Sequence, residues 1–137
     1  MYTKVFKNLV QDAKDIRIKV FMEEQGFKNE FDKIDDISTH IVAYDQELPI
    51  GTCRFFQEDD HYTIGRVAVL KAYRKHHIGK LLLESAQNEI KKLNGESIVV
   101  HAQCRVAPFY EKQGYVQFGQ MDDDEGCPHQ WMKKKIQ

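Results

Sequence analysis

The sequence lacks the features that mark disulfide-stabilised, membrane-bound or nucleic-acid-binding proteins. Its three cysteines, Cys53, Cys104 and Cys127, are an odd number, which argues against a disulfide framework. No stretch approaches the roughly 20 apolar residues of a membrane span, and the N-terminal segment has no signal-peptide core. The net charge of −1 predicts neither a nucleic-acid nor a membrane partner. We therefore expect a cytoplasmic protein with reduced thiols.

The bulk composition is typical of a folded globular protein. The chain has 137 residues, of which 42% are hydrophobic and 30% are charged, and disordered chains fall outside this balance. It contains three prolines and no linker rich in proline, glycine or serine. We expect residues 1–137 to form a single domain.

The first third of the chain has the hydrophobic period of a helix. Apolar residues recur at intervals of three and four over residues 12–24, which predicts a helix that Gly26 ends. Residues 28–38 are polar and acidic, which predicts a loop or a short helix. The apolar side chains expected to hold this segment against the body are Phe27, Phe31, Ile34 and Ile37.

The pattern then changes to that of β-strands. Residues 41–44, 50–56 and 62–70 are predicted to be strands, and the turns between them favour an antiparallel meander. Gly65 lies inside the third strand, where a glycine indicates a β-bulge or a close backbone approach.

The second half of the chain alternates helices and strands. An apolar stripe predicts a long helix over residues 78–93, and a continuous apolar run predicts a buried strand at Ser97–Gln103. A short helix near Pro108 and two final strands around an acidic loop, residues 121–128, complete the chain. This order predicts a mixed α/β domain with a central sheet and helices on its faces.

The segment between the third strand and the long helix is a candidate phosphate site. A helix N-terminus offers free N–H groups and a partial positive charge, which suit an anion such as pyrophosphate. Arg74, Lys75 and Lys80 add positive charge, and Gly79 permits close backbone approach. An ordinary strand-to-helix connection with solvated basic residues would have the same composition.

This segment, VAVLKAYRKHHIGKLLL, resembles the acetyl-CoA-binding motif of the GNAT acetyltransferases, Arg/Gln-x-x-Gly-x-Gly/Ala. Arg74 takes the first position and Gly79 the last, while His77 stands at the middle glycine. The segment HAQCRVAPFYEKQGY resembles the second motif of the family. VFMEEQGF and GCPHQWMKK resemble the ElaA-like subgroup, so the likeness covers nearly the whole chain.

The resemblance implies the GNAT fold, a mostly antiparallel sheet of about six to seven strands flanked by helices. It implies transfer of the acetyl group of acetyl-CoA to a primary amine by direct attack in a ternary complex. One backbone N–H of the third strand would donate to the thioester oxygen. The cofactor-binding residues implied are Val67, Ala68, Val69, Arg74, Lys75, His76, His77, Ile78, Gly79 and Lys80.

The resemblance also implies the catalytic groups. Tyr110 matches the tyrosine that protonates the departing thiolate, although packing between helix and sheet would also explain it. The base that deprotonates the amine is left open between Glu24, His101, His129 and a water. The residues expected to contact the acceptor are Glu24, Gln25, His101 and Gln103.

Other readings of the same residues carry less weight. The histidines and cysteines match no tetrahedral zinc spacing, so we expect no metal, and Cys104 lacks the signature of a nucleophilic triad. The main alternative is a non-catalytic acetyl-CoA sensor or interaction module on the same fold, favoured slightly by His77 and disfavoured by Tyr110. Acidic residues around the acceptor side favour a cationic acceptor, and a homodimer is left open.

Overall fold

A seven-stranded sheet forms the centre of the molecule. The computed structural model describes residues 1–28 and 30–137. Within these residues the strands lie in the order β1-β2-β3-β4-β5-β7-β6, in which β4 and β5 run parallel and every other neighbouring pair runs antiparallel. The strands are β1 (Tyr2–Phe6), β2 (Thr39–Asp45), β3 (Leu48–Glu58), β4 (His61–Val69), β5 (Ser97–Gln103), β6 (Val116–Asp124) and β7 (Cys127–Lys135). The predicted mixed α/β class and mostly antiparallel sheet are confirmed.

Helices cover both faces of this sheet. They are α1 (Gln11–Arg17), α2 (Ile34–Ile37), α3 (Ile78–Lys92) and α4 (Ala107–Lys112), with 3₁₀ turns at Lys71–Tyr73 and Cys104–Val106. The predicted helix over residues 12–24 is confirmed, but its second half is a π-helix, Ile18–Glu24, which the apolar pattern did not predict. In the described residues no helix combines the length and the apolar character needed to cross a bilayer.

Two hydrophobic cores lie on opposite faces of the sheet. Successive side chains of a strand point to opposite faces, so Ile41 and Ala43 of β2 pack with α3 in one core. Val42 and Tyr44 pack with α1 in the other. The predicted stripe of α3 is buried as far as Ile90, but Leu93 is 55% exposed because the helix ends one residue before it.

Both edges of the sheet differ from the prediction. β1 was not predicted, because an edge strand with exposed side chains such as Tyr2 and Val5 lacks the apolar alternation of a half-buried strand. At the other edge, most of the predicted acidic loop belongs to β6 and β7, and the turn is confined to Glu125 and Gly126, both with positive φ.

The segment between the π-helix and α2 is held by ion pairs instead of by the predicted apolar contacts. Phe27 does pack in the α1 core, but Phe31 and Ile37 are exposed. The ion pairs join Glu30 and Asp32 of this segment and Asp35 of α2 to three arginines of α1, β3 and β4. The six residues, here called the ionic cluster, are Glu30, Asp32, Asp35, Arg17, Arg54 and Arg66.

Asp35 lies at the centre of the ionic cluster. Its Oδ1 accepts hydrogen bonds from Arg17 Nη1 at 2.7 Å and from Arg54 Nη1 at 2.8 Å. Burial alone would raise the pKa of Asp35, but these two bonds outweigh burial and lower it to about 2. His40 donates from Nε2 to the Asp35 carbonyl at 2.9 Å, which ties β2 to the same segment.

Candidate active site

A cleft of about 630 Å³ opens where β4 and β5 separate. The two strands pair from Tyr62 opposite Ile98 to Ile64 opposite Val100, and beyond that point β4 keeps only its pairing with β3. The walls of the cleft come from the second half of β4, the end of β5, the π-helix, the start of α3, α4 and the β6–β7 hairpin. The two strands therefore splay apart along the cleft.

A β-bulge shapes the β4 wall of the cleft. Arg66 and Val67 together lie opposite the single residue Cys53 of β3, since Thr52 pairs with Ala68 and Arg54 with Gly65. The bulge predicted beside Gly65 is confirmed, but the residue in the left-handed region is Arg66, with a φ of 53°. A side chain is rare in that conformation.

The bulge leaves two backbone donors on the cleft side of β4. The N–H of Leu70 donates to the Ile50 carbonyl of β3 at 2.9 Å, and N–H groups alternate between the two sides of a strand. The N–H groups of Val69 and Val67 therefore point away from β3, towards the space that β5 has left. Ala68 turns its N–H towards β3, and its side chain is buried in the α1 core.

The connection from β4 to α3 forms the basic end of the cleft. His77 precedes α3 in the left-handed conformation, with φ 61° and ψ 27°. The first helical hydrogen bond runs from the Leu81 N–H to the His77 carbonyl, so the N–H groups of Ile78, Gly79 and Lys80 have no partner within the helix. This geometry provides a helix N-terminus with N–H groups that are free of helical partners, at the position where the sequence predicted a phosphate site.

The predicted cofactor residues divide into those that line the cleft, with side chain or backbone, and those that do not. Those that line the cleft are Val67, Ala68, Val69, Arg74, Lys75, His77, Gly79 and Lys80. Two predicted residues do not line the cleft. His76 is exposed beside Tyr73, and Ile78 is buried in the core between α3 and the sheet. Phe109 of α4, which the sequence did not indicate, packs so close to Gly79 that an added Cβ would lie 3.0 Å from its ring.

Glu24, at the end of the π-helix, binds Arg74, which lines the cleft, but Glu24 itself does not line it. The Arg74 guanidinium donates to both carboxylate oxygens of Glu24, at 2.5 and 2.6 Å, while its Nε donates to the Val69 carbonyl at 2.9 Å. The hydrogen bond from Arg74 lowers the pKa of Glu24. A carboxylate held in this way is a weak proton acceptor, so the structure disfavours Glu24 as the base.

Tyr110 of α4 reaches the cleft from a buried position. Its side chain is 6% exposed, and burial raises the pKa of its hydroxyl above the ordinary range, so the phenol stays protonated at neutral pH. Among the described residues no group hydrogen-bonds this hydroxyl, and the ring packs edge-on against Tyr115 at 5.7 Å. The hydroxyl can therefore donate its proton to a group in the cleft.

His129 of β7 lies on the opposite wall and has a defined proton arrangement. Its Nδ1 is 2.8 Å from the Cys127 carbonyl oxygen, which can only accept. The proton of neutral His129 therefore sits on Nδ1, and the lone pair of Nε2 is available. The structure thus favours His129 over Glu24 as the base.

A second histidine stacks against His129. The ring of His101 lies 4.7 Å from that of His129 and 4.2 Å from that of Trp131, and its Nε2 donates to Asp122 Oδ1 at 2.6 Å. This hydrogen bond lowers the pKa of Asp122. Asp122 was not singled out from the sequence, because it lies in a run of acidic residues.

Gln25 and Gln103 join two walls at the acceptor end of the cleft. The Gln103 amide donates to Gln25 Oε1 at 2.8 Å, and Arg105 Nε donates to Gln103 Oε1 at 2.9 Å. The contact brings together two residues predicted from separate motifs, at the ends of the π-helix and of β5. In the described part of the chain no group of three or more histidine, cysteine or acidic residues is placed to hold a metal ion.

Comparisons with known proteins match this geometry. The family model of the acetyltransferase (GNAT) domain matches residues 9–136. YjcF of Bacillus subtilis, named an uncharacterized N-acetyltransferase, is 31% identical over 128 residues, which cover 91% of each chain.

Solved structures show the same fold. Escherichia coli ElaA is 23% identical over 128 residues, 88% of this chain and 84% of that protein. Its crystal structure superposes with a TM-score of 0.84 at 22% identity and covers 96% of this chain and 97% of that one. An aminoglycoside 6'-N-acetyltransferase complexed with coenzyme A superposes with a TM-score of 0.77 at 17% identity and covers 98% and 97%.

The chain belongs to the GNAT acetyltransferase family. The predicted family, the likeness to ElaA and the class of acyltransferase are confirmed.

Proposed function

We propose that this protein transfers the acetyl group of acetyl-CoA to a primary amine, which attacks the thioester directly in a ternary complex. The observation that carries the proposal is the arrangement of a single cleft. A basic helix N-terminus lies at one end, two free strand N–H groups lie along one wall, and Tyr110 and His129 lie at the other end. The coenzyme A complex of the related aminoglycoside acetyltransferase supports the choice of cofactor.

The cofactor would lie along β4. Its pyrophosphate would accept hydrogen bonds from the N–H groups at the start of α3, with Lys75 and Lys80 nearby as point charges. Its pantetheine arm would pair with β4, and the Val67 N–H would donate to the thioester oxygen. Such a donor is worth about 3–4 kcal/mol when charge develops on that oxygen.

The two proton transfers are assigned to separate residues. His129 Nε2 would accept the proton of the acceptor ammonium, directly or through a water, since Cys127 holds the other ring nitrogen in its protonated form. Tyr110 would donate its proton to the thiolate as coenzyme A leaves. Tyr110 has the role that the resemblance implied, and His129 is one of the candidates for the base that the sequence left open.

The acceptor end favours a cationic amine. Asp124 and Glu125 line the cleft, and among the described residues neither forms an ion pair with a lysine or an arginine. Together with the Gln25–Gln103 pair they offer acceptors to a second amino group of the substrate. We therefore propose a polyamine, an aminosugar or a basic side chain as the acceptor class. A single domain over residues 1–137, a cytoplasmic location and a homodimer stay predictions.

The experiment is a calorimetric titration with acetyl-CoA, dephospho-CoA and acetyl-pantetheine, followed by a thiol-release assay with cationic, neutral and anionic amines. Acetyl-CoA should bind at least about tenfold more tightly than acetyl-pantetheine if the helix N-terminus holds the pyrophosphate. Acetyl-CoA binding without transfer to any amine would instead favour the sensor, and turnover of anionic amines alone would exclude a cationic acceptor.

His77→Gly should preserve acetyl-CoA binding and stabilise the fold slightly. The middle residue of the motif needs a left-handed backbone, which His77 adopts at φ 61° and which costs a side chain about 1 kcal/mol. Because backbone N–H groups hold the anion, we expect the dissociation constant to change by less than about threefold.

The matched control is Asn94→Gly at the other end of α3, where φ is 65°. Thermal unfolding should show a similar small gain for both variants. A large loss of acetyl-CoA affinity in His77→Gly alone would mean that the imidazole contacts the cofactor.

Glu24→Gln should strengthen acetyl-CoA binding. In the free protein Glu24 holds Arg74, so an anionic cofactor that uses Arg74 must replace that carboxylate. Removing the charge should tighten binding by about two- to fivefold, the range expected for one exposed ion pair. Glu23→Gln is the control, because Glu23 is exposed and forms no ion pair among the described residues. Equal or weaker calorimetric affinity in Glu24→Gln would show that the cofactor leaves the pair intact.

A further inference from the structure

The bulge of β4 contains an unexpected residue. A bulge whose first residue is left-handed usually has glycine there, yet Arg66 occupies this position with a φ of 53°, and the available glycine, Gly65, precedes it. Strained residues persist where the surrounding structure holds them, and they concentrate at functional sites. The left-handed backbone of Arg66 must therefore be stabilised by contacts of its side chain.

Arg66 is held by the ionic cluster. Its Nε lies 3.0 Å from Glu30 Oε1 and donates to the Glu30 carbonyl at 3.2 Å, and its Nη2 lies 3.3 Å from Asp32 Oδ2. Glu30 is itself buried, at 4% exposure, and the same oxygen, Oε1, accepts a hydrogen bond from Arg17 Nε at 3.0 Å. Asp32 is fixed in the same way by Arg54.

The ionic cluster is balanced in charge and anchored on the rigid parts of the fold. Its three arginines belong to α1, β3 and β4, and its three acids are Glu30 and Asp32, which precede α2, and Asp35 within α2. Arg17, Glu30, Asp35 and Arg54 are all buried. The guanidinium of Arg66 is therefore held by residues that are anchored on α1 and β3 and not on β4.

The backbone of Arg66 sets the direction of the neighbouring donor. The peptide between Arg66 and Val67 is planar, so the torsions of Arg66 determine where the Val67 N–H points. Glycine at this position would have access to many more torsions. An arginine with its guanidinium fixed at Glu30 and Asp32 restricts these torsions, and with them the direction of the Val67 N–H, to a narrow range.

We propose that Arg66 is a positioning residue: the ionic cluster, acting through its guanidinium, aims the Val67 N–H at the thioester oxygen. The inference rests on the proposed function, since it assumes acetyl-CoA in the cleft. It also gives the acids of the ionic cluster a part in the proposed chemistry, because the residues that bind Arg66 would set the geometry of the group that polarises the thioester.

The test is the infrared stretch of the thioester carbonyl in acetyl-CoA labelled with ¹³C at that carbon. A hydrogen bond to the oxygen lowers this frequency, so the wild-type complex should show a downward shift relative to free acetyl-CoA. Arg66→Gly keeps the left-handed backbone accessible and removes the guanidinium. It should lose most of the shift, while its calorimetric dissociation constant stays within about threefold of wild type.

Two further variants make the result specific. Gln46→Gly is the control, because Gln46 has a φ of 55° in the β2–β3 turn, away from the cleft, and it should retain the full shift. Arg66→Lys keeps the positive charge but lacks the planar guanidinium with its several donors, so it should lose part of the shift. This variant tests the inference if Arg66→Gly fails to fold. A full shift in both Arg66 variants would overturn the inference and leave the proposed function standing. No binding of acetyl-CoA by the wild-type protein would overturn both.

Discussion

Arg17→Met should lower the free energy of unfolding by about 3–5 kcal/mol, the range measured when one partner of a buried ion pair is removed. The side chain of Arg17 is 1% exposed and binds Glu30 and Asp35 at 3.0 and 2.7 Å. Methionine fills a similar volume, so the loss would come from two carboxylates left buried without this partner. Urea unfolding followed by the fluorescence of Trp131 measures it.

Lys14→Met on the same helix is the control. Lys14 is exposed and forms no ion pair among the described residues, so its replacement should change stability by less than about 0.5 kcal/mol. Equal losses in the two variants would show that Arg17 contributes through its aliphatic stem alone.

The pH dependence of the free energy of unfolding is a second, independent test of the ionic cluster. The pKa of Asp35 is lowered to about 2 in the folded protein, below the value of about 3.9 in an unfolded chain. Its contribution is therefore fully present above about pH 4 and is lost as the pH falls towards 2. In Arg17→Met the folded pKa should rise, because one of its two guanidinium partners is gone, so this acid-dependent loss should become smaller.

The ionic cluster also shows what the sequence could not reveal. Asp32 and Asp35 lie in a polar stretch, and Arg17 lies in an amphipathic helix, so the local pattern gave no sign that they form buried ion pairs. Their partners lie 13 or more residues away in the chain, and no period links them. Apolar residues of the same stretch, Phe31 and Ile37, were expected to be buried and are exposed.

The elements that were predicted correctly are those in which burial imposes a regular pattern. The stripe of α3 packs against the sheet, which requires an apolar period of about four. β5 lies inside the sheet between β4 and β7, where a buried strand is a continuous apolar run. β1 and the acidic half of β6 lie at the edges of the sheet, where side chains face solvent and no period is required. These were the segments that the sequence analysis missed.

The candidate site was predictable to the extent that short motifs encode it. The helix N-terminus, Tyr110 and the β4 donors each belong to a short continuous sequence motif. The structure brings these motifs to one cleft. The Glu24–Arg74 pair joins residues 50 positions apart, and the proton position on His129 depends on a carbonyl of its own hairpin. Such contacts exist only after folding, so spacing cannot reveal them.

Tyr110→Phe should reduce kcat by about 100-fold, within the range for loss of a general acid, while acetyl-CoA binds as in wild type. Tyr110 lines the cleft, and burial raises the pKa of its hydroxyl, so the phenol carries its proton at neutral pH. Its contribution would arise only as negative charge develops on the sulfur, which is why binding should be unaffected. Thiol release in the presence of a turned-over amine, with calorimetry on the same samples, measures both quantities.

Tyr115→Phe is a closely matched control for this variant. Tyr115 contacts Tyr110, is equally buried, and has a pKa raised first of all by burial. Its hydroxyl, however, is buried without a hydrogen-bond partner among the described residues and does not line the cleft. Removing an unsatisfied buried hydroxyl should leave the stability equal or higher and kcat unchanged. A similar fall of kcat in both variants would mean that the aromatic cluster acts through packing; a fall confined to Tyr110→Phe would assign the proton to its hydroxyl.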